Sequence, residues 1–422
     1  MGKLSEGDLV HLLIQLGVML IAGRLLAEIS RHLKQPAVVG EILAGILLGP
    51  TVLGMIRPDW FTALYPTGTA TGIVLAGFVQ IAVAMLLFVA GLEVDLTIVT
   101  KQGRQAVFTS LLGLIVPFML GFVFPYLFPE FFGHVEGKTS RILYALFMGT
   151  AMAITALPVI VRILMDINLF KSRMGQLVVA SAMIDDVIGW LTFSVILGLI
   201  GKTGSMSVIT TALLTVGYAV LMLTIGRGAL NKVLPWVNSK VVWPGGILSL
   251  SLALCFLGAA FTEYIGIHAI FGAFIMGIAL GDSPHFSERA KEIVYQFIYH
   301  VFAPLFFVSI GLRVNFIANF DWELTLAILA IAFAGKIIGS GVGTRLGGFS
   351  WRESLAAGFG MNARGAMEII LGIIALENAL INERVFVSLV IMALVTSMVS
   401  GPMMRRAMQT IHRNNSQLTI DN

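Results

Sequence analysis

Apolar runs of about 20 residues recur along nearly the whole chain. Each is long enough to cross a hydrocarbon layer of about 30 Å as a helix. The chain is 57% hydrophobic and 12% charged, with a mean hydropathy of +0.93, whereas a soluble globular protein carries about 25% charged residues. The fold class that follows is an all-α polytopic membrane protein, and its length therefore does not convert into a count of soluble domains. The net charge of +4 comes without a basic tract, so nucleic acid is not an expected partner. The single cysteine, Cys255, excludes an intrachain disulfide and a cysteine-based metal cluster. No cleavable signal peptide is expected, because the start carries acids and the first apolar run is itself long enough to span.

Reading the apolar windows in turn predicts about thirteen spans, near 9–30, 37–56, 71–92, 105–128, 141–164, 173–200, 206–226, 244–263, 265–282, 293–312, 324–346, 352–377 and 384–408. Of the 27 Lys and Arg, seventeen fall in or at the span ends bordering one alternating set of loops and seven in or bordering the other. Because cytoplasmic loops hold the excess of cations, the expectation is a multi-pass protein of the cell (inner) membrane. Its N-terminus lies outside, its C-terminus is cytoplasmic, and residues 409–422 form a short cytoplasmic tail. Only Arg24, Lys336 and Arg364 lie within spans away from their ends.

The sixth span contains the least expected residues for such a setting. Asp185 and Asp186 are adjacent near the middle of the apolar run 176–200. One carboxylate at that depth costs about 2.5–3.5 kcal/mol even on the lenient insertion scale, and a pair costs more. A chain keeps such a pair where something binds: a proton, a metal cation, or both in turn. On a helix the two side chains point about 100° apart, so they cannot serve one identical role.

Two patterns repeat in the same order. Gly40, Gly45 and Gly49 in span 2 have the five-then-four spacing of Gly272, Gly277 and Gly281 in span 9. One span later, the segment 86–95 is echoed by 305–315. Spans 1–6 are thus expected to repeat as 8–13, in units of about 9–200 and 244–408 joined by a linking helix at about 206–226. An offset of seven spans inverts the second unit. Inverted repeats place a transport site near the midplane between discontinuous helices. Packing by small residues is the alternative source of such glycine spacing. The repeat predicts that spans 5 and 12 correspond to each other and are both irregular. Span 5 holds Thr155 and Pro158, and proline breaks a helix interior. Span 12 holds Asn362, Arg364, Gly365 and Glu368, an amide and opposite charges at mid-span. Broken helices expose carbonyls and charged helix ends that can hold a cation. A kink that serves packing alone is the other reading for span 5.

Lys336, flanked by small residues, is the obvious ion-pair partner for an aspartate. Arg364 and Glu368 either pair along span 12, four residues apart, or Arg364 reaches across to other groups. Glu41, His268, Arg24 and Glu28 are given no role in transport.

The runs 155–164, 184–187, 35–50 and 362–365 together resemble the cation–proton antiporter superfamily, in particular its sodium(potassium)/proton antiporter-2 branch. The resemblance extends over about 9–408. It implies a core domain that includes 141–200 and 324–377, where spans 5 and 12 cross, beside a dimerisation domain of the remaining helices in a homodimer. It also implies an elevator movement of the core. By the same resemblance, Asp186 is the principal ion- and proton-binding carboxylate, Asp185 pairs with Lys336, and Thr155 is the polar group of the first unwound segment. Relatives with an Asp-Asp pair tend to be electrogenic. The glutathione-gated potassium efflux systems of the wider branch carry a large cytosolic nucleotide-binding domain. About 14 residues follow span 13 here, so gating of that kind is not expected.

The expected function is secondary active Na⁺/H⁺ antiport, with Na⁺ or K⁺ and protons as cargo, the lipid bilayer as surroundings, and no cofactor or enzymatic activity. No Gly-x-x-x-x-Gly-Lys motif is present, against a primary pump. K⁺/H⁺ antiport is the nearest alternative. An organic-anion/sodium symporter on a similar fold fits a cluster of acids less well; a cation channel would show conductance above any carrier rate, and a membrane receptor is expected to carry an output domain.

Overall fold

The computed structural model describes residues 5–33, 35–66, 69–134, 139–167, 169–170, 172–200 and 208–418. The loop cations Lys3, Lys34, Lys138, Lys171 and Lys202, the start of the linking helix at 206–207 and the tail residues 419–422 lie outside them. All regular structure among the described residues is helical. In chain order the helices are α1 (Glu6–His32), α2 (Ala37–Leu48), α3 (Leu53–Ile56), α4 (Pro58–Leu64), α5 (Ala70–Leu92), α6 (Leu96–Leu127), α7 (Arg141–Ala153), α8 (Leu157–Asp166), α9 (Arg173–Ile200) and α10 (Val208–Leu221). After a π-helical turn at Met222–Gly226 come α11 (Arg227–Lys240), α12 (Gly245–Tyr264), α13 (Ala269–Gly281) and α14 (Glu288–Phe297). A second π-turn at Ile298–Phe302 leads to α15 (Ala303–Arg313), α16 (Trp322–Leu346), α17 (Trp351–Met361), α18 (Ala366–Glu377) and α19 (Glu383–Leu418).

Local chemistry sets many of these ends. Ser5 and Asp8 form a capping box before α1, and Ser350 and Glu353 form another before α17. The Asp321 carboxylate caps α16 by accepting from the Leu324 amide at 2.9 Å. On α1, Leu13, Ile21 and Leu25 are exposed, as suits a helix whose solvent is lipid rather than water.

Among the described residues, ten helices are long and apolar enough to cross a bilayer, and Arg141–Ala153 and Ala269–Gly281 are shorter apolar helices. The expected fifth and twelfth spans are each two half-helices, α7/α8 and α17/α18, and the expected second span is interrupted after Leu48. The linking helix differs most from expectation. It does not end at 226 but continues through the charged stretch to Lys240, beyond the predicted loop boundary. A drop in hydropathy at Arg227 ends an apolar window but not the backbone hydrogen bonding of a helix. Leu230, Leu234 and Val237, at four- and three-residue spacing, keep one face of α11 buried.

The chain divides into two compact units, Met1–Val94 with Ile209–Asn319, and Asp95–Val208 with Phe320–Asn422. In the first unit, glycines set the helix contacts. A Cβ at Gly45 would lie 2.0 Å from the Val308 carbonyl oxygen, and Gly311 faces the Gly45–Ile46 backbone. A Cβ at Gly277 would lie 2.1 Å from the Phe88 carbonyl oxygen, with Gly91 opposite. Contacts this close are backbone against backbone, which only small residues permit. Gly45→Ala and Gly277→Ala are each expected to cost about 1–3 kcal/mol by overpacking, read as a lower thermal unfolding midpoint in detergent. Gly17→Ala, where nothing lies within 4 Å, should leave the midpoint unchanged or raise it slightly by helix propensity.

The second unit is built on α6 against α16. The Gly343, Gly339 and Gly335 stripe of α16 meets the backbone of α6 at Phe108, Leu112 and Pro117. This packing brings Lys336, on the same helix, into the unit's interior.

Candidate ion site at the crossing of two broken helices

Within the second unit, α7 stops at Ala153 and residues 154–156 run extended before α8 begins. Pro158 falls in the first turn of α8, where its missing N–H costs no helical bond. The opposing break spans 362–365 between α17 and α18. The two breaks are joined directly: the Ala156 amide donates to the Ala363 carbonyl at 3.0 Å. Gly365 permits the approach, because a Cβ there would sit 2.9 Å from a Val159 methyl group.

Interrupting two helices in an apolar interior strands peptide groups at each end, and these need partners. At the C-terminal end of α7, Lys336 Nζ donates to the Ala153 carbonyl at 2.6 Å and Arg364 donates to the Met152 carbonyl at 2.5 Å. Two cations therefore face the negative end of that half-helix dipole. At the end of α17, the Thr155 hydroxyl donates to the Met361 carbonyl at 3.3 Å. At the start of α18, the Gly365 amide donates to Glu368 Oε2 at 2.8 Å, placing a carboxylate at a positive helix end. Ser397 on α19 donates to the Arg364 carbonyl.

Asp185 and Asp186 lie on α9, which packs against α6, α7 and α8. Both are fully buried, as are Lys336, Arg364, Thr155 and Asn362. Asp185 is held by three donors. Ser110 donates to Oδ1 at 2.6 Å, and Lys336 and Thr155 donate to Oδ2 at 2.6 and 3.0 Å. A buried ion pair with further hydrogen bonds on both partners meets the condition under which its Coulomb attraction offsets desolvation. Asp186 is the next residue, about 100° further round the helix.

The structure thus brings Asp185, Lys336 and Thr155 into direct contact and puts Asp186 beside them. Arg364 does not run along its own helix to Glu368 but reaches α7, and its other terminal nitrogen lies 2.9 Å from the Met392 sulfur. Glu368 caps the half-helix it belongs to. Asn362 follows α17 as its cap residue, and neither of its side-chain amide atoms has a hydrogen-bond partner. Sequence reading missed Ser110. Its only signal there is a Thr109-Ser110 pair in an otherwise apolar span. Thr109 meets the Thr344 hydroxyl at 3.1 Å. Of the groups set aside, Glu28 contacts Arg24 at 3.7 Å and Arg31 at 3.1 Å, His268 caps α13, and Glu41 is buried on α2 in the first unit.

Residues 17–410 match the family described as sodium/hydrogen exchanger, transmembrane. The chain is 32% identical over 397 residues to the Na⁺/H⁺ antiporter NhaS4 of Synechocystis, covering 93% of this chain and 96% of that protein. It is 30% identical over 393 residues to the Na⁺/H⁺-K⁺ antiporter GerN of Bacillus cereus, covering 93% and 95%. Its fold is similar to the sodium proton antiporter MjNhaP1 of Methanocaldococcus jannaschii, with a TM-score of 0.66 at 18% identity over 94% of this chain and 97% of that one.

Proposed function

The chain belongs to the sodium/hydrogen exchanger family, within the cation/proton antiporter superfamily, and on that premise we propose that it exchanges Na⁺ for H⁺ by competition for Asp186. It is a transporter and not an enzyme. The observation that carries the site assignment is the asymmetry of the aspartate pair. Asp185 is held by Ser110, Thr155 and Lys336, which places it as the partner of Lys336, and Asp186, fully buried next to it, takes the role of exchanged-ion carboxylate that the resemblance implies.

In the proposed cycle, Asp186 faces one side of the membrane, releases a proton and takes a dehydrated cation, with Asp185 and Thr155 beside it. The Asp185–Lys336 pair carries a second proton: it opens and releases that proton as the cation binds, so two protons exchange for one Na⁺ and a net charge crosses with each cycle. Arg364, Lys336 and Glu368 hold the severed half-helix ends. The second unit moves as an elevator, and the cation leaves as protons return. Occupied or protonated states cross the apolar interior at lower cost than the empty charged state, and this couples the two fluxes. The exchange is driven by the proton gradient and is electrogenic. The matched glycine contacts, Gly45 with Val308 and Gly277 with Phe88, support reading the halves as inverted repeats within thirteen crossings. The remaining parts of the proposal are a homodimer in the cell membrane, with its N-terminus outside and its C-terminus cytoplasmic, and a role in pH homeostasis.

K⁺/H⁺ exchange is the second reading, favoured by the similarity to an antiporter whose name includes K⁺. The deciding test is pH-dependent fluorescence dequenching in proteoliposomes with Na⁺, Li⁺ and K⁺ compared, with and without a clamped membrane potential. Na⁺ is expected to give the half-maximal response at the lowest concentration, and clamping the potential is expected to raise the rate. A lower half-maximal concentration for K⁺ transfers the assignment to K⁺/H⁺ exchange, and a rate insensitive to the clamp removes electrogenicity.

A further inference from the structure

We infer that Asn362 is a direct ligand of the transported cation, through its amide oxygen, and that it sets the order of preference among alkali cations. The inference rests on the antiport reading above and assigns this role to one side chain of the second break.

Three observations lead there. First, Asn362 is fully buried, and both of its side-chain polar atoms are without a hydrogen-bond partner. Buried amides are bonded in the great majority of cases, and leaving one unbonded carries a desolvation cost. Second, the neighbouring polar groups are already committed. Asp185 accepts from three donors, the Thr155 hydroxyl contacts Asp185 and the Met361 carbonyl, and Arg364 and Lys336 hold the end of α7. Third, Asn362 is placed at the crossing itself. The carbonyl of Met361 before it takes the Thr155 hydroxyl, and the carbonyl of Ala363 after it takes the Ala156 amide. It also follows the C-terminal end of α17, where the half-helix dipole favours positive charge.

A carboxamide oxygen is a hard, neutral donor of the kind that alkali and alkaline-earth cations accept in place of water. Being neutral, it adds to cation binding without adding a titrating group. It therefore alters which cation competes best with the proton at Asp186 while leaving the proton's own site unchanged. A residue retained for packing or backbone capping would instead have its amide bonded to protein groups.

The test uses the purified full chain with Asn362→Leu, close in size but apolar, and Asn362→Asp, which keeps an oxygen in place. Thermal unfolding is followed while NaCl, LiCl or KCl is titrated at constant ionic strength, and the apparent cation KM is measured in proteoliposomes. Asn362→Leu is expected to unfold no lower than wild type without alkali cation. Its apparent Na⁺ affinity should fall at least tenfold, and the Na⁺:K⁺ preference should change. Asn362→Asp is expected to retain cation-induced stabilisation. A Leu variant with wild-type KM and wild-type cation order overturns the assignment, as does one that loses stability without cation yet keeps its full cation-induced shift. Absence of any alkali response in wild type overturns the antiport reading as well, so the two failures are distinguishable.

Discussion

Asp186→Asn is expected to reduce cation-driven proton movement in proteoliposomes to the level of protein-free vesicles, while the protein folds and unfolds as wild type does. The substitution keeps the shape of the side chain and removes only its ability to ionise. Asp186 is fully buried, and a carboxylate at that depth is costly, so a neutral amide there does not endanger the fold. An amide neither gains nor loses a proton in the working pH range, so competition between H⁺ and a cation for one oxygen pair cannot occur. Dequenching after addition of Na⁺, Li⁺ or K⁺ over a range of pH is the measurement. Full exchange by the variant would remove Asp186 from the centre of the mechanism.

The second large effect is on stability. Lys336→Gln strips Asp185 of the ammonium group 2.6 Å away and leaves a carboxylate with no exposed surface and no cation in contact. Breaking a buried pair from one side costs about 3–5 kcal/mol, because an uncompensated charge stays behind. A marked drop in the thermal unfolding midpoint of the purified variant is therefore expected. The double variant Asp185→Asn/Lys336→Gln should recover much of the loss, since it removes both charges and leaves one of the Ser110 and Thr155 hydroxyls to donate to the amide oxygen and the other to accept from the amide nitrogen. Because the two residues touch, the double-mutant cycle should show strong coupling. Additive effects would mean that the pair does not stabilise the unit in the way its geometry implies.

Much of this arrangement is legible in the sequence, and the reason is cost. Asp185, Asp186, Lys336 and Arg364 stand out because burying a charge in an apolar span is expensive. Pro158 marks one break, because proline is tolerated only in a helix's first turn. Gly365 and its charged neighbours mark the other. Low-cost features were not legible. A serine in an apolar span carries a small penalty, so nothing singled out Ser110 as a partner of Asp185. The destination of Arg364 depends on how α17 and α18 cross α7 and α8, contacts separated by 212 residues for Met152. Local spacing offered Glu368 equally well. The continuation of the linking helix through Arg227–Lys240 was hidden for a similar reason. Hydropathy reports where a bilayer would end, not where helical hydrogen bonding does.

The central claim is that one carboxylate gives up its proton to accept a cation. The most direct measurement is proton release from purified protein in weakly buffered detergent solution on addition of NaCl, with choline chloride as control. The account predicts release that saturates with Na⁺ concentration in the wild-type protein and is absent in Asp186→Asn. Undiminished release from Asp186→Asn, or saturable Na⁺ binding by wild type that sets free no proton at any pH, would contradict it.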